Sequence, residues 1–382
     1  MSRRQKSRLV ICSFAVGIAT LLAVSVCAAQ PPQAPPAPRS KLTVDAAGSA
    51  DFKTIQQAID ALPATGGIIR IRPGTYREQI HVDKPHVTLI GLGKDPSDVV
   101  LTFNLSHHDV GTTFGSASVT ITSDDFLAEN LTIQNTFSDE HPEVTVDAQA
   151  VALRVTGDRD VFRHVRLLAY QDTLYADSKT CHAGVAAGAA LGPVAKEASA
   201  VGSPTCHAVR QLFTDSYIAG TIDFIFGDAK AAFVRCEIRS RPHPEGTLTA
   251  QSRQYPAEDS GYVFDHARLT ADPGVTNVFL GRPWRSYSTV VFLNTEMGAQ
   301  IQPPGWLEWP INGTPRLNTS FYAEFRSTGP GAPQPAAAGS PTPAGPNGTS
   351  RVAQAKILTA AAAKQFAPRA FLLGADRWKP KL

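Results

Sequence analysis

The chain has 382 residues, 43% of them hydrophobic, with a mean hydropathy of −0.11 and a formal net charge of +3. Four of the positive charges, Arg3, Arg4, Lys6 and Arg8, crowd into the first eight residues, and without them the remainder carries −1. That balance suits a soluble protein of one large domain, a size elongated β folds reach without splitting, and leaves no basic field for nucleic acid.

The first 29 residues read as a secretory signal. A basic segment, Ser2 to Arg8, precedes an apolar run, Leu9 to Val26, and the small residues Cys27, Ala28 and Ala29, with cleavage expected near Ala28 or Ala29. Two other readings stand beside it: a retained span, since the run of about 18 residues is long enough to cross a bilayer, and lipid anchoring through Cys27. With cleavage the product is secreted, extracellular or periplasmic, and no membrane contact remains. Residues 30–40, rich in proline, are a linker, and a single domain is predicted over 41–382.

Phe52 to Leu62 carries the one clear helical pattern, with Ile55, Ala58, Ile59 and Leu62 on one face, and is predicted to cap an end of the fold. Gly74-Thr75-Tyr76 reads as a turn into the first coil, and His107, His108 and Asp109 as a solvated loop. About a dozen short strand-like segments follow with no long helix between them, which excludes a doubly wound α/β fold. Many share a phrase, a polar residue followed three positions later by Ile, Leu or Met: Asn130–Ile133, His164–Leu167, Asp215–Ile218, Arg235–Ile238, His266–Leu269 and Asn294–Met297. Its spacings of 34, 51, 20, 31 and 28 fit a coil of about 20 residues with loops inserted at one corner. The predicted fold is therefore all-β, a single-stranded right-handed parallel β-helix with a short N-terminal capping helix. A β-sandwich or propeller is the competing architecture, less compatible with such uneven spacing and the lack of Asn-Gly hairpin turns.

In an exported protein the cysteines are informative. Cys181 and Cys206 flank a small-residue segment within an inserted loop near 176–209, and a disulfide between them is expected. Closing such a loop contributes on the order of 3 kcal/mol in the chain-entropy picture; two free thiols is the alternative. Cys236, alternating with apolar neighbours, reads as an inert core residue. No Cys-x-x-Cys spacing supports a metal site. A second insertion, rich in Pro, Ala and Gly, spans 329–350.

Two segments repeat a pattern that carries chemistry. Asp172-Thr173-Leu174-Tyr175 and Asp223-Phe224-Ile225-Phe226 share Asp-x-aliphatic-aromatic, each five residues beyond the end of the corner phrase. An acid in an apolar run is costly to bury unless something pairs with it. If Gln149, Gln171 and the two aspartates occupy neighbouring coils, the acids sit about 4.8 Å apart along the sheet, and their titrations must split. Arg282 offers a fixed cation able to pair bidentately with one of them. One carboxylate can then attack a carbonyl carbon while the other, protonated, serves the leaving group. The amides of Gln149 and Gln171 can donate to the oxyanion.

The blocks that hold these residues, QAVAL (149–153), YQDTLY (170–175), GTIDFIFG (220–227) and LGRPW (280–284), with GTYRE (74–78) and TTFGSAS (112–118) upstream, resemble the pectin methylesterases. The likeness runs from about Lys41 to Thr328 and returns at FLLGADRW; the long loop after YQDTLY is similar to bacterial-type members. The resemblance implies a right-handed parallel β-helix and hydrolysis of galacturonate methyl esters of pectin without a cofactor. It implies Asp223 as nucleophile, Asp172 as general acid and then base, Gln171 and Gln149 as oxyanion donors, and Arg282 as the group that orients Asp223. Thr113 and Trp284 would contact the sugar chain. Tyr170 and Phe226 are further candidates for sugar contact, with burial in the core as the other reading for aromatics such as Tyr170 and Trp284. The expected partner is methyl-esterified homogalacturonan bound by a monomer. Other readings are a lipoprotein-type relative with thioesterase activity, a β-helix pectin lyase or glycosidase, and a non-catalytic polysaccharide-binding solenoid.

Overall fold

The computed structural model describes residues 39–178, 209–335 and 345–382; the leader, the Cys181–Cys206 loop and residues 336–344 of the Pro/Ala/Gly-rich insertion lie outside the described residues. All described residues fall in one compact unit, Pro38–Leu382. Its strands pair in parallel, coil upon coil, in two sheets of seventeen and seven strands. The seven-stranded sheet bears the site. Its strands, Ile80–Val82, Val119–Ile121, Leu153–Val155, Leu174–Ala176, Ile225–Gly227, Gly246–Gln251 and Val278–Gly281, lie side by side in chain order. The predicted parallel β-helix is what forms.

The interior is a set of side-chain ladders. Phe162, Phe213, Phe233, Phe264 and Phe292 occupy one register position on successive coils, all fully buried, with neighbouring ring centroids 4.5–5.0 Å apart. Stacked rings at this spacing lock register, because a slip of one residue would turn every phenyl group outward. Cys236 lies in the same interior, 1% exposed, and burial pushes its thiol up to about 12, in keeping with an inert core residue.

The corner phrase now has a conformational meaning. Asn130, His164, Asp215, Arg235, His266 and Asn294 all adopt φ between 49° and 56°, the left-handed region. The residue three positions later, Ile133, Leu167, Ile218, Ile238, Leu269 or Met297, is buried in every case. A left-handed residue turns the strand by a sharp angle, and each coil offsets its cost, about 1–2 kcal/mol for an ordinary side chain, with the apolar burial that follows. Asn130 also uses its side chain, donating from Nδ2 to the carbonyls of Gly91 and Gly93.

Helix α1, Ile55–Ala61, is shorter than the sequence pattern suggests and is held by its surroundings. The Glu78 carboxylate accepts from the Ile55 and Gln56 amides, and Lys84 Nζ donates to the carbonyls of Ile59, Asp60 and Leu62. Seven residues would not stay helical alone. Two local readings need correction. Gly74–Arg77 is a strand, not a turn: Tyr76 faces inward at 3% exposure and anchors its hydroxyl on Arg72 O. His107–Val110 is a short helix, α2, not a loop, because Asp109 caps it by accepting from Ser106 N.

Candidate active site

The two aspartates meet as their matching offsets require. Leu174 pairs with Ile225 and Tyr175 with Phe226 in the parallel register, so Asp172 and Asp223, each two residues upstream, head adjacent rungs. Both are left-handed, φ 66° and 49°, at the corner where the chain enters the seven-stranded sheet. Gly227 closes that segment at φ 113°, and a Cβ there would lie 2.1 Å from the Ala176 carbonyl oxygen, so only glycine lets the rungs approach.

Asp223 is 5% exposed and fully partnered. Arg282 grips it with a fork: Nε lies 3.0 Å from Oδ1 and Nη2 lies 2.7 Å from Oδ2. Thr247 adds a reciprocal pair, its hydroxyl donating to Oδ1 at 2.7 Å while accepting from the Asp223 amide at 2.8 Å. Burial alone would disfavour the Arg282 charge, but the hydrogen bonds and charge of Asp223 outweigh it and raise its pKa. Asp172 has no such partner. It is half-buried and opens onto the cavity, and burial first, then the charge of Asp223, push its carboxyl well above the usual range against the opposing pull of Arg282. The two like groups on adjacent rungs are thus treated unequally: Asp223 is paired with a cation, and Asp172 is pushed toward its neutral form.

These residues line a cavity of about 350 Å³. Gln149 and Gln171 border it with the two acids and Arg282. The backbone carbonyl of Gln171 accepts from Ala150 N at 3.3 Å, and that of Gln149 accepts from His107 N at 2.8 Å, which seats both amides on neighbouring rungs. Gln149 Oε1 is buried without a hydrogen-bond partner. One wall is aromatic: Phe114 stacks on Tyr175 at 4.8 Å, Tyr175 on Phe226 at 4.5 Å, and Trp284 meets Phe226 edge-on at 5.9 Å.

Of the residues expected to touch sugar, Thr113, Phe226 and Trp284 face this cavity. Tyr170 does not line it; its hydroxyl donates to Asp139 Oδ1 and the Arg241 guanidinium covers its ring. Sequence reasoning overlooked Phe114, in the aromatic wall, and three further side chains. Trp309 lies against the Arg282 guanidinium at 4.2 Å, Thr247 holds Asp223, and His107, read as a solvated loop residue, reaches the cavity with Nδ1 3.3 Å from Thr113 Oγ1. Only Thr247 offered a signal, lying in a strand-like segment that becomes the neighbour of Ile225–Gly227 in the seven-stranded sheet. A larger concavity, about 660 Å³, lies on the other sheet beside His164, Asp215, Arg235 and His266. It contains none of the blocks that hold Gln149, Asp172, Asp223 and Arg282, and its charges largely pair with one another, Arg235 with Asp215 and Arg268 with Glu237.

Residues 41–182 and 204–372 match the family model described as Pectinesterase. The chain belongs to the pectinesterase family. Among curated members of that family, a probable pectinesterase/pectinesterase inhibitor of Arabidopsis thaliana is 37% identical over 304 residues, covering 77% of this chain and 52% of its own. The chain spans about half the length of the curated relatives it matches. Solved pectinesterase folds agree. Pectin methylesterase from carrot shares 31% identity at a TM-score of 0.68, covering 88% of this chain and 93% of that one. The enzyme of Erwinia chrysanthemi shares 28% at 0.67, covering 89% and 98%. A structure of a pectin methylesterase in complex with a hexasaccharide matches with 28% identity, a TM-score of 0.67 and the same coverage. Plant and bacterial members match alike, so the long loop after Asp172 does not assign the chain to a bacterial-type group. Among the described residues no helix is long and apolar enough to cross a membrane.

Proposed function

We propose that this chain is a secreted, monomeric pectin methylesterase that hydrolyses the methyl esters of homogalacturonan to free carboxylates and methanol. The observation that carries the reading is the unequal treatment of two neighbouring acids: Asp223 forked by Arg282, Asp172 driven toward its protonated form. Asp223 attacks the ester carbonyl carbon, and the amides of Gln149 and Gln171 donate to the oxygen that gains charge. The tetrahedral intermediate collapses as Asp172 gives its proton to the departing methoxide, leaving methanol and an acyl-enzyme anhydride on Asp223. Asp172, now a carboxylate, takes a proton from water as that water attacks the anhydride. Collapse releases the galacturonic acid, whose carboxyl then gives its proton to solvent, and restores a charged Asp223 beside a protonated Asp172. The aromatic wall of Phe226 and Trp284 supplies flat apolar surface for sugar rings, and Thr113 a hydroxyl for their polar edges.

Methanol release from highly methylated pectin, with polymer length followed in parallel, tests the proposal. Methanol should appear with chain length unchanged. Shortening of the polymer, or a new unsaturated end group, without methanol would refute the esterase reading.

A further inference from the structure

The corner that carries Gln171 and Asp172 runs from the strand Asp160–Leu168 to the strand Leu174–Ala176, leaving one sheet before it enters the other. Its main-chain bonds to the next rung are long at two points, Ala169 N to Ala219 O at 3.4 Å and Asp172 N to Ile222 O at 3.2 Å. Side chains supply the missing restraint, and they converge on Tyr170. Arg241 donates from Nη1 to the Ala169 carbonyl at 2.9 Å, and the same guanidinium lies 4.1 Å from the centroid of the Tyr170 ring. The Tyr170 hydroxyl donates to Asp139 Oδ1 at 2.5 Å. Asp139 belongs to a short helix, α3, Phe137–Glu140, that is itself tied to the rung of Gln149. Phe137 N donates to Asn135 Oδ1, and Asn135 Nδ2 donates to Val151 O, two residues beyond Gln149, all at 3.0 Å.

We propose that Asp139, Tyr170 and Arg241 form a clamp that fixes the Gln171 amide relative to that of Gln149, and so sets the geometry of the oxyanion site. The three are positioning residues: none lines the cavity. The inference rests on the reading of the two glutamines as oxyanion donors. Such donors act only when held within a few tenths of an ångström of the position the charged oxygen will take, so the residue preceding one of them is a sensitive place to loosen the chain. Tyr170 is held by a cation on its face and a carboxylate at its tip, while its carbonyl accepts from Thr221 N at 2.9 Å. That leaves the chain little freedom at the residue before Gln171.

The test is a double-mutant cycle on methanol release. Tyr170→Phe keeps the ring under Arg241 and removes only the bond to Asp139; Asp139→Asn weakens the same bond from the other side. Both change part-exposed groups, and an unaltered melting curve verifies that each folds. Each should lower kcat about tenfold with KM within about twofold, since the loss is felt in the transition state. Tyr217→Phe is the control. That ring also carries an arginine, Arg166 at 5.4 Å, but lies in the other concavity, and the variant should behave as wild type. In a Gln171→Ala background, Tyr170→Phe should cost less than twofold, because the amide it positions is gone. A second tenfold loss there, a rise in KM with kcat unchanged, or full activity in Tyr170→Phe would each overturn the clamp. If Gln171→Ala itself left kcat unchanged, the oxyanion reading would fall first, an outcome distinct from failure of the clamp alone.

Discussion

Replacing Arg282 by lysine probes the arrangement around Asp223 most directly. Lysine keeps a positive charge within reach but presents one donor direction where the guanidinium presents two, at Nε–Oδ1 3.0 Å and Nη2–Oδ2 2.7 Å. A hydrogen bond between charged partners contributes about 1.5–3 kcal/mol. The Arg282 side chain is 26% exposed and that of Asp223 7%, so solvent recovers part of the loss and the lower half of that range applies. About 1.5–2.2 kcal/mol corresponds to a fall of roughly 10- to 40-fold in kcat/KM. Arg282→Ala should cost far more, because it strips a buried carboxylate to its Thr247 contacts, and removing one member of such a pair costs about 3–5 kcal/mol. Initial rates of methanol release across pH, beside calorimetric melting of each variant, separate lost chemistry from lost fold. A lysine variant within threefold of wild type throughout would show that the fork does not prepare Asp223 for attack.

Asp223→Asn and Asp172→Asn should each lower turnover by more than a hundredfold with melting preserved, since one removes the attacking oxygen and the other the proton donor; a tenth of the wild-type rate in either would contradict its role. The pH dependence has a definite sign: Asp172 must be protonated to act, and burial with the Asp223 charge raises its pKa, so activity is present below that raised value and lost as pH climbs through it. In the reverse variant of the cause, Asp223→Ala, the falling limb cannot be read from rates, but Asp172 titration followed by carboxyl NMR should move downward; no movement would remove Asp223 as a cause. Thr247→Val deletes the hydroxyl that bridges the Asp223 amide and Oδ1, and should reduce kcat/KM about tenfold, measured by the same assay. Peptide mapping without reductant should recover Cys181 linked to Cys206, with Cys236 unmodified by iodoacetamide in the folded protein and labelled once unfolded; Cys236 in the bridge would displace it from the core.

Much of the site is legible in the sequence because its parts are short blocks with internal pattern. The matching offsets of Asp172 and Asp223 after their corner phrases amount to a register statement in a parallel β-helix, where equal distances from a turn place residues on adjacent rungs. The corner phrase was legible for the same reason: a polar residue able to adopt the left-handed conformation, then an apolar one to bury, must recur wherever the chain bends inward. Arg282 could be proposed because a pair of close acids requires a cation.

What tertiary structure alone decided is which side chains from distant coils arrive at the same place. Trp309 lies in irregular chain beyond the last repeat phrase, Asn294–Met297, so nothing in its spacing places it over the guanidinium. His107 sits in a run of polar residues that reads as surface loop, and only the Asp109 cap and the bond from its amide to Gln149 O bring it to the cavity. Tyr170 shows the limit most plainly. Its neighbours in sequence made it a candidate sugar contact, yet its ring direction is set by Arg241, 71 positions later, and Asp139, 31 positions earlier. In a solenoid, coils differ in length by their loops, so contacts between rungs occur at irregular separations along the chain. A residue's type and local pattern determine which strand position it takes. Which partners it meets there is decided by the stacking of coils whose lengths the local pattern does not encode.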